Sequence, residues 1–299
     1  MTTPTRRTLA RSARLQGVAL FTGRPASCVV HPAPAGHAIT LERPDAPPIP
    51  ASITSLSDRA PHPALAGPHA RCTTLAHPDA PNSPVFTVEH LLSALAGLGV
   101  TAARVELDAP ELPNDDGAAL ARTSASLDAG LVPLDAPPHA TLRPVVVRET
   151  LRVEARAGRI TAEPLAPGES PSFTYLYEPD PASPIPAQHA SWDASPESYA
   201  REVAPARTFS TAAEATLLRS LGLFTAFTPR DLLVISEHGP IDNTWRFENE
   251  PARHKLLDLV GDLSLVQRPI HARIRAVRSG HSLNHAMARA LMAHAATGR

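Results

Sequence analysis

Glu89-His90-Leu91-Leu92-Ser93-Ala94-Leu95-Ala96-Gly97 is the stretch that decides how this chain folds, because it has an echo far downstream. There, His254-Lys255-Leu256-Leu257-Asp258-Leu259-Val260-Gly261 again sets a histidine at a helix start and a glycine seven residues later. In the first copy Leu91, Leu92, Leu95 and Leu98 recur at helical spacing, which predicts a helix over Phe86–Leu98. The second copy lies in a helix expected from Pro251 to about Val266. Matching helices in the two halves imply a duplicated α+β unit.

Elements on either side repeat in a similar order. Strands are expected at Ser27–His31, Ile39–Glu42 and Ala103–Leu107, with Pro44–Ala70 as loop or a small insertion. Asn114-Asp115-Asp116-Gly117 reads as a turn, and Ala118–Ala129 as a helix that Gly130 closes. The proline-rich run Leu131–Pro144 is read as a linker, dividing the chain into domains 1–137 and 138–299. The second half then offers strands at Pro144–Ala155, Arg159–Glu163 and Phe173–Tyr177, a helix at Pro196–Val203, and a helix at Thr211–Leu221 before a strand at Leu232–Ile235. A strand over Ile270–Ser279 and a helix over His281–Ala296 close the chain. The expected fold class is α+β: two similar domains, each a β-sheet packed with helices, with the active site at the cleft between them.

Composition narrows the function classes. With 43% hydrophobic and 19% charged residues the chain is globular, and a net charge of −1 supplies no field for nucleic acid or an anionic membrane surface. No apolar run approaches the length of a membrane span. Arg6-Arg7 is not followed by the apolar segment of a secretion signal, so a cytoplasmic location is expected. Cys28 and Cys72 stand outside any CxxC spacing and are read as free thiols of a reducing compartment. A monomer acting on a small molecule is the expectation.

His254 and Asp258 are four apart, so a helix places both on one face. Adding His90 gives two imidazoles and a carboxylate, a set that holds Zn2+ and leaves its fourth tetrahedral position open for water. Glu89 adjoins a ligand without being needed as one, and is free to take a proton from that water. His281 and His285 form a rival pair at the same helical spacing.

A series of local strings resembles the UDP-3-O-acyl-N-acetylglucosamine deacetylase family, zinc enzymes of lipid A biosynthesis. They are Gly17-Val18-Ala19-Leu20-Phe21-Thr22-Gly23, Thr87–Gly99, Pro110-Glu111-Leu112-Pro113 with Asp116-Gly117, Ala206-Arg207-Thr208-Phe209, Arg253–Leu263 and Ser279–His285. They occur in the family's order over nearly the whole chain. The resemblance implies His90, His254 and Asp258 as zinc ligands and Glu89 as general base. It implies His281 as cation or general acid toward the leaving amine, and Thr208 as a hydroxyl at the oxyanion. Phe209 would stack on the sugar, Lys255 would lie near the substrate's phosphates, and Asp262 would orient His281. The implied substrate is an acylated nucleotide sugar whose acyl chain enters a βαβ insertion at about 209–236.

Four places depart from the family pattern. Phe21 stands where a histidine near the sugar is usual, and Asn114-Asp115 where the turn is usually apolar. Leu223–Asp231 lacks a glycine-rich run, and Tyr177-Glu178-Pro179-Asp180 replaces an apolar–acidic–His–Pro run. The ligand and acid–base positions match while substrate-reading segments drift. Two alternatives therefore accompany the main reading: a metal-dependent deacetylase of a different N-acetylated sugar, and a non-catalytic relative that binds a sugar nucleotide or lipid.

Overall fold

The computed structural model describes residues 6–67, 71–135 and 143–297. Its frame is two five-stranded mixed sheets of identical topology. The first half supplies β1 (Ala13–Val18), β2 (Pro25–Pro32), β3 (Ile39–Glu42), β4 (Ile49–Pro50) and β5 (Ala103–Leu107), in spatial order β1-β2-β5-β3-β4. The second supplies β6 (Leu151–Ala155), β7 (Gly158–Glu163), β8 (Ser172–Tyr177), β9 (Gln188–Trp192) and β10 (Arg273–Val277), in order β6-β7-β10-β8-β9. In each sheet the third strand of that order is antiparallel to the second and parallel to the fourth. Identical order and polarity make the duplication a structural fact.

Helices occupy matching places too. α1 (Glu89–Gly97) leads into β5 and α2 (Leu120–Asp128) follows it; α3 (Glu250–Leu263) leads into β10 and α4 (His281–Ala296) follows it. Side chains alternate along the strands: Ala103, Val105 and Leu107 of β5 are buried while Arg104 and Glu106 face out. One face of each sheet is thus available to helices. α1 and α3 pack on each other at the centre, and one contiguous apolar core runs through both halves. The two echoed glycines permit close approach. A β-carbon on Gly97 would collide with the Tyr199 ring, and one on Gly261 with the Glu89 carbonyl.

A parallel β-α-β unit lies within residues 209–236. Phe209–Thr211 and Leu233–Ser236 pair in parallel across the helix Ala212–Ser220, which Thr211 caps by accepting from the Glu214 N–H.

Several expectations need correction. Pro144–Ala155 is two strands: Val145–Val146 pairs in parallel with Ile270–His271, and only Leu151–Ala155 joins the main sheet. Pro196–Val203 is a single α-turn, Pro196–Ser198, followed by a π-turn, Tyr199–Val203, that buries Tyr199 against α1. Leu131–Pro133, inside the expected linker, pairs with Arg7–Leu9. The boundary expected at residues 137 and 138 lies outside the described residues. β1, β9 and the hairpin Leu75–His77/Ala80–Val85 were not anticipated. Pro81 and Pro84 sit in that hairpin, and proline ordinarily argues against a strand. Among the described residues no helix is long and apolar enough to cross a membrane. Cys28 and Cys72 are buried free thiols, as expected.

Candidate metal centre

Where α1 begins, the chain makes an unusual entry. Thr87 has φ +60°, an unfavourable conformation for a β-branched residue, and Val88 offers no side-chain cap. Buried Glu111 holds this entry in place. Its Oε1 accepts from the Thr87 hydroxyl (3.2 Å) and the Phe21 N–H (2.9 Å), and its Oε2 from the Thr22 N–H (3.0 Å). The first residues of α1, Glu89 and His90, are both buried and both line a cavity of about 710 Å³.

α3 faces them. Its start is pinned by buried Glu250, which accepts from Arg207 Nε (2.8 Å) and Nη2 (3.0 Å) and from the backbone N–H groups of Arg207 and Arg246. This anchors Thr208 and Phe209, the residues after Arg207, beside the helix that carries His254 and Asp258. Asp258 Oδ1 lies 3.4 Å from His254 Nε2 and 3.6 Å from His90 Nε2, and the two imidazole rings cross edge-on at 5.1 Å.

These three residues are the group of buried side chains that can hold a metal among the described residues, their donor atoms lying within 4.8 Å of one another. The chemistry of the set fits a cation. Asp258 Oδ1 is buried and accepts no hydrogen bond from the protein, a costly state that a metal relieves. Burial drives the His254 pKa down to about 3 against the pull of Asp258, which keeps a neutral imidazole with Nε2 free to donate a lone pair. Its Nδ1 lies 3.1 Å from the Ala206 carbonyl, which fixes that orientation. His90 has no such bond at Nδ1 among the described residues. Lys255 Nζ holds the other Asp258 oxygen at 3.0 Å and lies 5.7 Å from the Phe209 ring centroid.

Glu89 and His281 face each other beside this cluster, with Glu89 Oε1 3.9 Å from His281 Nε2. Burial raises the Glu89 pKa, with the cationic charge of His281 opposing. Burial would lower that of His281, but the Asp262 carboxylate, 2.8 Å from Nδ1, outweighs it and carries the value to about 9. His281 is accordingly a cation at neutral pH. His285, the rival ligand from the i,i+4 pair, turns instead toward Thr73 (2.9 Å) and Asp262 (3.5 Å).

All ten residues singled out from sequence lie in this neighbourhood. Phe21, Glu89, His90, Thr208, Phe209, His254, Lys255, Asp258 and His281 line the cavity, and Asp262 stands behind His281. Thr208 is seated by its N–H on the Gly117 carbonyl (2.9 Å), and a side chain at Gly117, where φ is +80°, would collide with it. Phe21 packs on Phe224 (centroids 5.3 Å apart), so two of the departures noted above touch each other. Sequence reading assigned no role to Thr73, Glu111 or Arg207. Glu111 and Arg207 lay inside quoted strings, whereas nothing marked Thr73.

The model of the family LpxC, UDP-3-O-acyl N-acetylglycosamine deacetylase, matches residues 6–293. A UDP-3-O-acyl-N-acetylglucosamine deacetylase from Myxococcus xanthus (strain DK1622) is 34% identical over 287 residues, 96% of this chain and 86% of that protein. With the match spanning both sheets and every residue of the metal cluster, the chain belongs to the UDP-3-O-acyl N-acetylglycosamine deacetylase family.

Proposed function

We propose that this chain hydrolyses the N-acetyl group of a UDP-3-O-acyl-N-acetylglucosamine, releasing acetate in lipid A biosynthesis, with zinc held by His90, His254 and Asp258. The observation that carries the reading is the meeting, in one partly apolar cavity, of three buried ligand side chains with a further buried carboxylate, Glu89, that is not one of them. A zinc ion with such ligands acidifies a water and polarises an amide carbonyl.

The chain's own residues do the rest. Glu89 takes the proton of the attacking water on Oε1, its pKa raised by burial toward the range where a base works. Cationic His281 faces the same region, steadies the charge that develops on the carbonyl oxygen, and delivers a proton to the departing nitrogen. Thr208 gives a hydroxyl hydrogen bond to that oxygen. Phe209 and Lys255 flank the sugar and its phosphates. Leu218, Phe227 and Leu233 of the insertion line the cavity wall that receives the acyl chain. The two halves act as domains 1–137 and 138–299 of one cytoplasmic monomer.

Metal analysis of the purified protein, with an acetate-release assay on the acylated UDP-sugar, tests the reading directly. Glu89→Gln should lower kcat by about 10²- to 10⁴-fold with the metal retained. Turnover at near the parent rate in that variant would sink the mechanism. The contact between Phe21 and Phe224 favours a second reading, a deacetylase of a different N-acetylated sugar, because it alters the wall nearest Glu111 and Thr87. Equal kcat/KM on acylated and non-acylated UDP-N-acetylglucosamine would select it. Glu89, which a purely structural metal site has no use for, argues against a non-catalytic relative.

A further inference from the structure

Thr73 joins the two sides of the site. It is fully buried, and its backbone N–H donates to Glu89 Oε2 at 2.9 Å. Its hydroxyl lies 2.5 Å from Asp262 Oδ1 and 2.9 Å from His285 Nε2. Asp262 is ionised: burial opposes its charge, but His281 and His285 beside it hold its pKa well below the usual carboxylate range. A carboxylate only accepts, so the Thr73 hydroxyl gives its hydrogen to Oδ1. The hydroxyl's lone pairs then remain for His285, which carries its proton on Nε2. The other Asp262 oxygen is taken by His281 Nδ1 and Asn284 Nδ2, both at 2.8 Å.

We propose that Thr73 is a positioning residue for the deacetylation proposed above, setting the distance between Glu89 Oε1 and His281 Nε2 from a single backbone position. With Oε2 tied to the Thr73 N–H, Glu89 presents Oε1 to the cavity. With Oδ1 tied to the Thr73 hydroxyl, Asp262 keeps Oδ2 under His281. Losing the hydroxyl frees Oδ1 to rotate onto His285 Nε2, already 3.5 Å away, and that rotation draws His281 off its place. The inference rests on the deacetylase reading for its catalytic consequence, while the bonding it asserts stands apart from it.

The test uses the full-length, metal-loaded protein. Thr73→Val keeps the shape and the backbone N–H but loses the hydroxyl. It should lower kcat by about 10- to 100-fold with KM little changed. Thr73→Ser restores the hydroxyl and should return most of that rate. A Val variant as fast as the parent, or a Ser variant as slow as Val, overturns the proposal. A second measurement needs neither activity nor a variant. In the metal-loaded parent protein, ¹H–¹⁵N spectra of the histidine rings should place protons on His285 Nε2 and His281 Nδ1. A His285 proton found on Nδ1 overturns the bonding. A parent protein that releases no acetate sinks the deacetylase reading, and the ring protons still decide the arrangement around Thr73.

Discussion

Asp262 follows Asp258 by one turn of α3, and its two oxygens are shared among Thr73, His281 and Asn284. Its charge is what keeps His281 protonated to about pH 9 although the ring is buried. The cation is complete at neutral pH, and any step that needs it fails as pH rises through that value. Asp262→Asn removes the main opposing charge, so burial prevails and the basic limb of kcat/KM against pH should move down by about 1–3 units. The acid limb, set by Glu89 losing its charge as pH falls, should stay above the ordinary carboxylate range, because burial raises that pKa. An unmoved basic limb in Asp262→Asn would remove His281 from the role of acid. At this scale the residues with specialised chemistry were legible, since His90, His254 and Asp258 are unusual at their spacing and Glu89 adjoins one of them. Thr73 was not. It works through a backbone N–H and a hydroxyl that any buried threonine has, and only the fold brings it to Asp262, far along the chain.

The start of α3 shows how an element is aimed. Glu250 and Arg207 form a buried bidentate pair, and Arg207 also reaches Asn243 and the Thr244 carbonyl. A carboxylate in the first turn of a helix suits its positive end whatever else it bonds. In the fold Glu250 ties the strand bearing Phe209 to the helix bearing His254. Breaking one member leaves the other buried and unpaired, so Glu250→Ala should cost about 3–5 kcal/mol of stability, measured by denaturant unfolding. A loss below about 1 kcal/mol, the size of an exposed pair, would contradict this account. Helices and alternating strands were readable because their apolar faces repeat. β1 and β9 escaped because few of their residues are large and apolar: Ala13-Arg14-Leu15-Gln16-Gly17-Val18 and Gln188-His189-Ala190-Ser191-Trp192 acquire their strand character from neighbours. The π-turn at Tyr199 escaped for a related reason, since its place is set by the room that Gly97 leaves on α1.

Across the whole molecule, duplication explains where the metal cluster lies. Equivalent helices α1 and α3 pack on each other, and the repeated histidines His90 and His254 meet near their contact. Asp258 has no acidic counterpart in the first copy, where Ala94 occupies the matching position. The Glu89 position likewise pairs with Arg253, which turns to Glu202 and Phe247 instead of the cavity. One unit thus contributes Glu89 and the other Asp258, and neither half alone holds the full set. A metal bound here links the two halves and stabilises only the assembled fold. At a free concentration a hundred times Kd, it should add ~2.7 kcal/mol. Chelation should lower Tm, and Zn2+ should restore it. Asp258→Ala, which leaves one ligand from each half, should lose most of that response. A metal-induced rise in Tm equal to the parent's in Asp258→Ala would show that the ion binds elsewhere.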